Sequence, residues 1–270
     1  MEYINFVLEN PIFIILVAFG LSLLIQLYFY IIYYIRIIFY KNRKESVSKK
    51  EPVSVIICAR NEEQNLEKNL PSILTQDYPD YEVIVVNDCS TDNTGECVLK
   101  YIENNSDLEV KYYVHEENKG KGAAIKTGIQ NATGEYLIIQ DADLEYDPNE
   151  YNLLLKPLID GHADVVYGSR FMGGKPHRIL FFWHTIGNKL LTFLSNMFTN
   201  LNLTDMETCY KMFRTEVIQS IKLEENRFGF ESEVTSRISK LKNIQIYEIG
   251  ISYYGRTYQE GKKINCKDGF

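Results

Sequence analysis

A chain of 270 residues with 45% hydrophobic content is long enough for one well-buried domain plus an accessory segment. Its formal net charge of −7 and sequence pI near 5.3 exclude the basic footprint of a nucleic-acid binder. Cys58, Cys89, Cys97, Cys209 and Cys266 form neither a CxxC pair nor a cluster with histidine at zinc spacing, so they are read as free, buried thiols in a reducing compartment.

The accessory segment comes first. No charged residue lies between Glu9 and Arg36, and Pro11 to Ile35 is apolar except for Ser22 and Gln26, enough to cross a hydrocarbon core of ~30 Å. A cleaved signal peptide needs a basic start, a shorter apolar core and a small-residue cleavage site, which are absent here; a buried core helix is the other alternative. Glu2 and Glu9 precede the segment, whereas Arg36, Lys41, Arg43, Lys44, Lys49 and Lys50 follow it. The positive-inside rule therefore predicts a single-pass protein with its main domain cytoplasmic, and the cations suit anionic lipid headgroups. Residues 1–50 are read as anchor and linker, 51–270 as the main domain.

Beyond Glu51, apolar runs alternate with helical patterns, the signature of an α/β fold with a mostly parallel sheet. Strands are expected at Val53–Cys58, Glu82–Asn87, Val110–Val114, Tyr136–Gln140 and Asp164–Gly168, with helices near Glu63–Gln76, Thr94–Glu103, Gly122–Gln130 and Asn149–Asp160. Polar clusters follow the first four strands: Arg60-Asn61-Glu62, Asp88-Cys89-Ser90, Asn118-Lys119-Gly120 and Asp141-Ala142-Asp143. Ligands of open α/β sheets sit outside the carboxyl ends of the strands, so these clusters should converge on one crevice. Further on, an aromatic and aliphatic stretch covers Ile179 to Leu203 and a helix is expected near Glu231–Leu241.

Asp141 and Asp143 leave their strand two residues apart, and a turn there lets both reach one hard divalent cation, Mn²⁺ or Mg²⁺, that bridges two phosphates. Glu145 is a third oxygen donor or a solvated loop acid. Asp88 is read as accepting from a nucleotide base, whereas Asp92 and Thr94 are read as helix caps. The segment Asn118-Lys119-Gly120-Lys121-Gly122 fails the Walker spacing, because Ile125 precedes Lys126; its glycines still allow close backbone approach at a helix start, where N–H groups favour anions. Arg170, Arg178 and Arg256 are candidates for planar phosphate recognition, each with a surface or ion-paired arginine as the alternative. His184 is either an acceptor contact or a structural histidine. The Ile179–Leu203 stretch is either a membrane-interface element or helical core.

In order, Ser54-Val-Ile-Ile-Cys-Ala-Arg-Asn-Glu62, Val85-Val-Asn-Asp88, Asn118-Lys-Gly-Lys-Gly122, Asp141-Ala-Asp-Leu-Glu145, Gly168-Ser-Arg170, Thr204-Asp-Met-Glu-Thr-Cys-Tyr-Lys211 and Tyr254-Gly-Arg-Thr257 make a set more specific than any member. The chain from Val53 onward resembles the family 2 glycosyltransferases of GT-A fold, and among them those acting on polyprenyl phosphates such as dolichyl phosphate. The resemblance implies a nucleotide-sugar pocket from Ala59, Arg60, Asn61, Glu62, Asp88, Lys119, Gly120, Asp141 and Ala142. It further implies a metal and diphosphate element of Asp141, Asp143 and Glu145, an acceptor phosphate held by Arg170 and Arg256 with Arg178 nearby, and an acceptor-side role for Asp205.

The expected reaction is inverting transfer of a hexose, UDP-glucose being the favoured donor, to a polyprenyl phosphate at the cytoplasmic membrane face. A phosphate monoester with a second pKa near 6 is largely dianionic at neutral pH and needs positioning more than a general base. A transferase to another glycan or lipid, or a silent nucleotide-sugar binding protein, are the rivals. The QxxRW element of processive synthases is absent, since the only tryptophan is Trp183. The sequence leaves a homo-oligomer open.

Overall fold

The computed structural model describes residues 11–38, 51–105, 109–143, 145–179 and 181–257. Met1–Ser48 and Lys49–Phe270 are separate compact units. In the first, α1 (Pro11–Ile38) is, among the described residues, the one helix long and apolar enough to cross a membrane. The basic linker expected to set its orientation lies outside the described residues, apart from Arg36 in α1.

The second unit is built on a seven-stranded sheet of order β3-β2-β1-β4-β6-β5-β7. Its strands are β1 (Val53–Ala59), β2 (Tyr81–Asn87), β3 (Val110–Val114), β4 (Tyr136–Asp141), β5 (Val165–Ser169), β6 (Lys211–Arg214) and β7 (Ile246–Gly250). β1, β2, β3 and β4 are mutually parallel, and β6 runs antiparallel between β4 and β5. The expected α/β class with a mostly parallel sheet is therefore present. β1, β2 and β4 are nearly continuous apolar runs because both faces are covered. The helices are α2 (Glu63–Leu74), α3 (Thr94–Asn104), α4 (Lys121–Asn131), α5 (Tyr151–Ile159), α6 (Phe182–Thr199), α7 (Thr215–Ser220) and α8 (Phe230–Ile238).

Register decides where the site falls. Cys58 pairs with Val86 on one side and Asp141 on the other, and Ala59 pairs with Asn87, so β1, β2 and β4 end nearly flush. Strand order reverses between β1 and β4, where α/β sheets open a crevice. β6 and β7 were not expected from sequence; β6 is four residues long and pairs only with distant segments. The thiol reading is corrected: of the described cysteines all are free, but only Cys209 is buried, while Cys58, Cys89 and Cys97 are half-buried near strand or helix ends.

At the opposite edge one carboxylate ties three segments. Glu82, 4% exposed, accepts from Ser54 Oγ (2.5 Å), Thr133 N (2.7 Å) and Thr133 Oγ1 (3.0 Å), and pairs with Lys111. Burial alone raises its pKa, but these donors outweigh burial and hold it below the usual glutamate range. Its contribution is therefore complete above the unfolded-state glutamate pKa and is lost as pH falls through the lower folded value. Glu82→Gln should cost roughly 3 kcal/mol at pH 7, and the gap from wild type should close below about pH 4, read from denaturation curves at both pH values.

Candidate functional site

The turn after β1 is stitched to the turn after β2. Asn61 takes the left-handed conformation (φ 54°), its Oδ1 accepting the Thr91 amide at 2.8 Å while its own amide donates to Ser90 Oγ at 3.0 Å. The Glu62 amide donates to Thr94 Oγ1 (2.9 Å), and the Glu62 carboxylate accepts from Asn65. Arg60 projects outward, exposed, and Ala59 is buried. The cap reading of Asp92 and Thr94 is corrected: the N-cap of α3 is Asn93, without a side-chain cap bond, while Asp92 accepts the Thr94 amide at 3.1 Å just before the helix and Thr94 is its first residue.

Asp88 is 3% exposed. Its Oδ1 accepts from Lys119 N (2.9 Å) and the His115 Nδ1–H (2.8 Å), and its Oδ2 from Gly120 N (2.7 Å). Burial raises its pKa, yet the bonds from His115, Lys119 and Gly120 outweigh that and hold it ionised. The observed work of Asp88, expected to meet a base, is to fix the loop before α4. The same contacts occupy part of that loop: the Lys119 and Gly120 amides donate to Asp88, and Ala123 N donates to Asn226 O at 3.0 Å. Gly120 (φ 98°) and Gly122 are needed because a Cβ would lie 2.5 Å and 2.8 Å from the carbonyl oxygens of Asn226 and Glu225. The glycines admit a neighbouring segment of the chain itself.

Asp141 ends β4, and Lys121 at the start of α4 reaches its Oδ1 at 2.7 Å. Burial works against ionisation of Asp141, but Lys121, Cys209 and Lys211 together outweigh burial and hold its pKa below the usual aspartate range. Ala142 is buried, its carbonyl accepting from Asn69 at 3.0 Å. Asp143 pairs with Arg256 Nη2; even so, burial, Asp141 and Glu145 push its pKa up to about 7. Glu145 Oε1 accepts from Arg256 N (2.9 Å) and Nε (3.2 Å), and its Oε2 from Tyr253 OH (2.7 Å). The three-carboxylate cluster read from sequence is not arranged as a ready ligand set: among the described residues no group of three acids, histidines or cysteines is placed to hold a metal, and Lys121, Arg256 and Tyr253 occupy the carboxylates instead.

The donor chemistry nevertheless fits a divalent cation. Asp141 and Asp143 are hard oxygen donors in a surplus of negative charge large enough to raise Asp143, and each already faces a cation of the protein. Mg²⁺-type sites use one or two carboxylates completed by substrate phosphates, so Glu145 is not required.

Arg170, 8% exposed, donates to Asp205 from its backbone N (3.0 Å), Nε (2.7 Å) and Nη2 (2.7 Å), and its guanidinium lies over the Tyr253 and Phe171 rings. Asp205 is wholly buried, and its amide and that of Thr204 donate to Glu248. Arg170 is therefore anchored by a planar two-point bond, with less of its guanidinium left for a ligand than the sequence reading implied. Arg178 Nη1 donates to Gly255 O at 3.0 Å, one residue from Arg256. The structure thus joins Arg256 to Asp143 and Glu145, Arg178 to the same C-terminal segment, and Arg170 to Asp205.

Sequence reasoning missed Lys121, His115, Tyr253 and Glu248 as organisers. It also passed over Lys211, fully buried in an ion pair with Glu231, and Glu207, half-buried and raised in pKa by burial and Glu231. For Lys121 the signal was present, a cation at the first position of a helix one strand away from Asp141.

The sequence model of glycosyl transferase family 2 matches residues 54–222. Glycosyltransferase GlyA of Streptococcus pneumoniae is 25% identical over 78% of this chain and 31% of that protein. Poly-beta-1,6-N-acetyl-D-glucosamine synthase of Staphylococcus aureus is 32% identical over 54% of this chain and 34% of that protein; the chain thus spans about a third of these curated relatives. Among solved structures, glucosyl-3-phosphoglycerate synthase of Mycobacterium tuberculosis, in complex with Mn²⁺, UDP and phosphoglyceric acid, superposes with a TM-score of 0.60 at 19% identity, covering 80% of this chain and 75% of that one. A mannosyltransferase of Pyrobaculum calidifontis, in complex with GDP-Man and Mn²⁺, gives 0.57 at 23% identity over 76% and 57%. These similarities establish a GT-A-like fold, and the extent of the sequence match establishes that the chain belongs to glycosyl transferase family 2.

Proposed function

We propose that this chain is a metal-dependent, inverting hexosyltransferase that moves a sugar from a nucleoside-diphosphate donor, UDP-glucose favoured, to the phosphate of a polyprenyl phosphate at the cytoplasmic face of a membrane. The observation that carries the reading is the pairing of Asp143 and Glu145 with Arg256: diphosphate-side acids and a phosphate-binding arginine occupy one spot. The Mn²⁺- and nucleotide-bound complexes of similarly folded transferases support the donor half. The helix α1 and the dianionic character of a phosphate monoester support the acceptor half.

In this reading Asp141 and Asp143 hold Mn²⁺ or Mg²⁺, which when bound neutralises charge on the departing nucleoside diphosphate. Lys121 leaves its pairing with Asp141 or shares it with the diphosphate. Arg256 turns its guanidinium from Asp143 to phosphate, presenting the planar fork that suits phosphate oxygens, while Glu145 and Tyr253 keep its backbone in place. Arg170, fixed by Asp205, lies over the Tyr253 ring and so steadies the tyrosine that holds Glu145. The attacking oxygen belongs to an acceptor already ionised at neutral pH, so no side chain need remove a proton.

Membranes carrying the full chain, given UDP-glucose or GDP-mannose, a polyprenyl phosphate and Mn²⁺, should form a lipid-linked sugar that EDTA abolishes. A donor panel yielding none would refute the proposal. Asp143→Ala should lower product formation at least ~100-fold with unchanged sedimentation in the membrane fraction; retained turnover removes Asp143 from the metal role. Arg256→Lys, which keeps charge but loses the fork, should raise the acceptor KM about tenfold with little change in donor KM.

A further inference from the structure

Helix α6 is built inside out. Phe182, Ile186, Leu190, Phe193 and Met197 recur at helical spacing on one face, and each is exposed, from 44% at Ile186 to 67% at Phe182. The face turned to the protein is polar. Asn188 and Thr192 are its buried residues; Thr192 Oγ1 accepts the Met206 amide at 3.2 Å, and Asn196 both donates to Leu203 O (2.8 Å) and accepts from Leu203 N (3.0 Å). Of the two readings of this stretch, helical core is thereby corrected: a core helix buries its apolar face.

An apolar stripe of this size left in water is unfavourable, and the charges beside it indicate what covers it. No Asp or Glu occurs between Phe171 and Thr204, although the whole chain has a net charge of −7. The cations of that segment are Lys175, which pairs with Glu150 at 3.3 Å, Arg178 and Lys189, with Lys189 Nζ lying 5.9 Å from the Phe171 ring at the edge of the stripe. Two copies meeting through this face would bring like charges together, whereas an anionic bilayer offers the opposite charge and an apolar phase. Trp183 stands 78% exposed at the start of the helix, and tryptophan prefers the headgroup boundary.

We propose that α6 lies in the plane of an anionic bilayer, apolar face in the acyl boundary, and that its polar face, bonded to the 203–206 loop, holds Asp205 and Arg170 at headgroup depth. Such helices sit about 5–10 Å into the interface. The inference deepens the proposed function by giving the lipid phosphate a reason to meet its arginines without leaving the membrane, and it rests on that reading for the identity of the acceptor.

The chain contains a single tryptophan, so fluorescence of the full-length protein in vesicles of phosphatidylglycerol and phosphatidylcholine reports on α6 alone. Lipids brominated near the top of the acyl chain should quench at least about half of the Trp183 emission, aqueous iodide should quench it weakly, and Phe193→Asp should reverse both effects. Leu99→Asp, at an exposed apolar residue on α3, should change neither. Emission open to iodide and indifferent to bromolipid overturns the inference, and so does a blue-shifted emission that bromolipid leaves untouched, which means pairing with a second copy. Bromolipid quenching without lipid-linked sugar would sink the proposed acceptor but leave the docking; sugar transfer without quenching would do the reverse.

Discussion

Negative charge gathered at the carboxyl edge of the sheet is the constraint around which this domain is arranged. Asp88, Asp141, Asp143, Glu145 and Asp205 stand there at low to moderate exposure, where an unpartnered carboxylate is costly. Each is answered, but not in the same way. Asp88 is met by backbone amides and a histidine, Asp205 by a buried arginine and amides, and Glu145 by tyrosine and arginine. The pairings of Asp88 and Asp205, and that of Glu145 with Tyr253 and the Arg256 amide, are fixed contacts of groups that pack. Asp141 and Asp143 are met by the ends of the long side chains Lys121 and Arg256, each about a quarter exposed.

That difference separates scaffold from site. A carboxylate satisfied by the backbone cannot change partner without moving a loop, whereas Lys121 swings away for the loss of its pair with Asp141, and Arg256 for the loss of its side-chain contacts with Asp143 and Glu145. The two aspartates paired to long cationic side chains are the ones proposed to meet the donor diphosphate and its counter-ion. The second half of the chain supplies the other partners: Arg170, Tyr253 and Arg256 come from the end of β5 onward and meet Asp205, Glu145 and Asp143. The irregular half is in this sense the electrostatic complement of the regular one.

What could be read from sequence follows from what is local. β1 to β5 and the helices between them were placed within a few residues, because doubly covered strands and amphipathic helices write their period into consecutive residues. β6 and β7 are short and make sense only beside partners far along the chain. The positions of the acidic residues were legible, since they end apolar strands. Their partners were not: His115 on Asp88, Lys121 on Asp141 and Asp205 on Arg170 are matches across the fold, which spacing does not reveal. The character of α6 was undecidable for another reason, because core and membrane interface select the same side chains and only burial distinguishes them.

The inverted polarity of α6 bears on how the protein can be handled. Deleting Pro11–Ile38 is the ordinary route to a soluble form of an anchored enzyme, but here it would remove one apolar surface and leave another in contact with water. Polar substitution on the outward face of α6 is the complementary change, and because those side chains touch little of the domain while Thr192 and Asn196 carry its attachment, it leaves the hydrogen bonds of the 203–206 loop intact. On the proposed reading, solubility and membrane placement are properties of two helices, α1 and α6, separable by editing each alone.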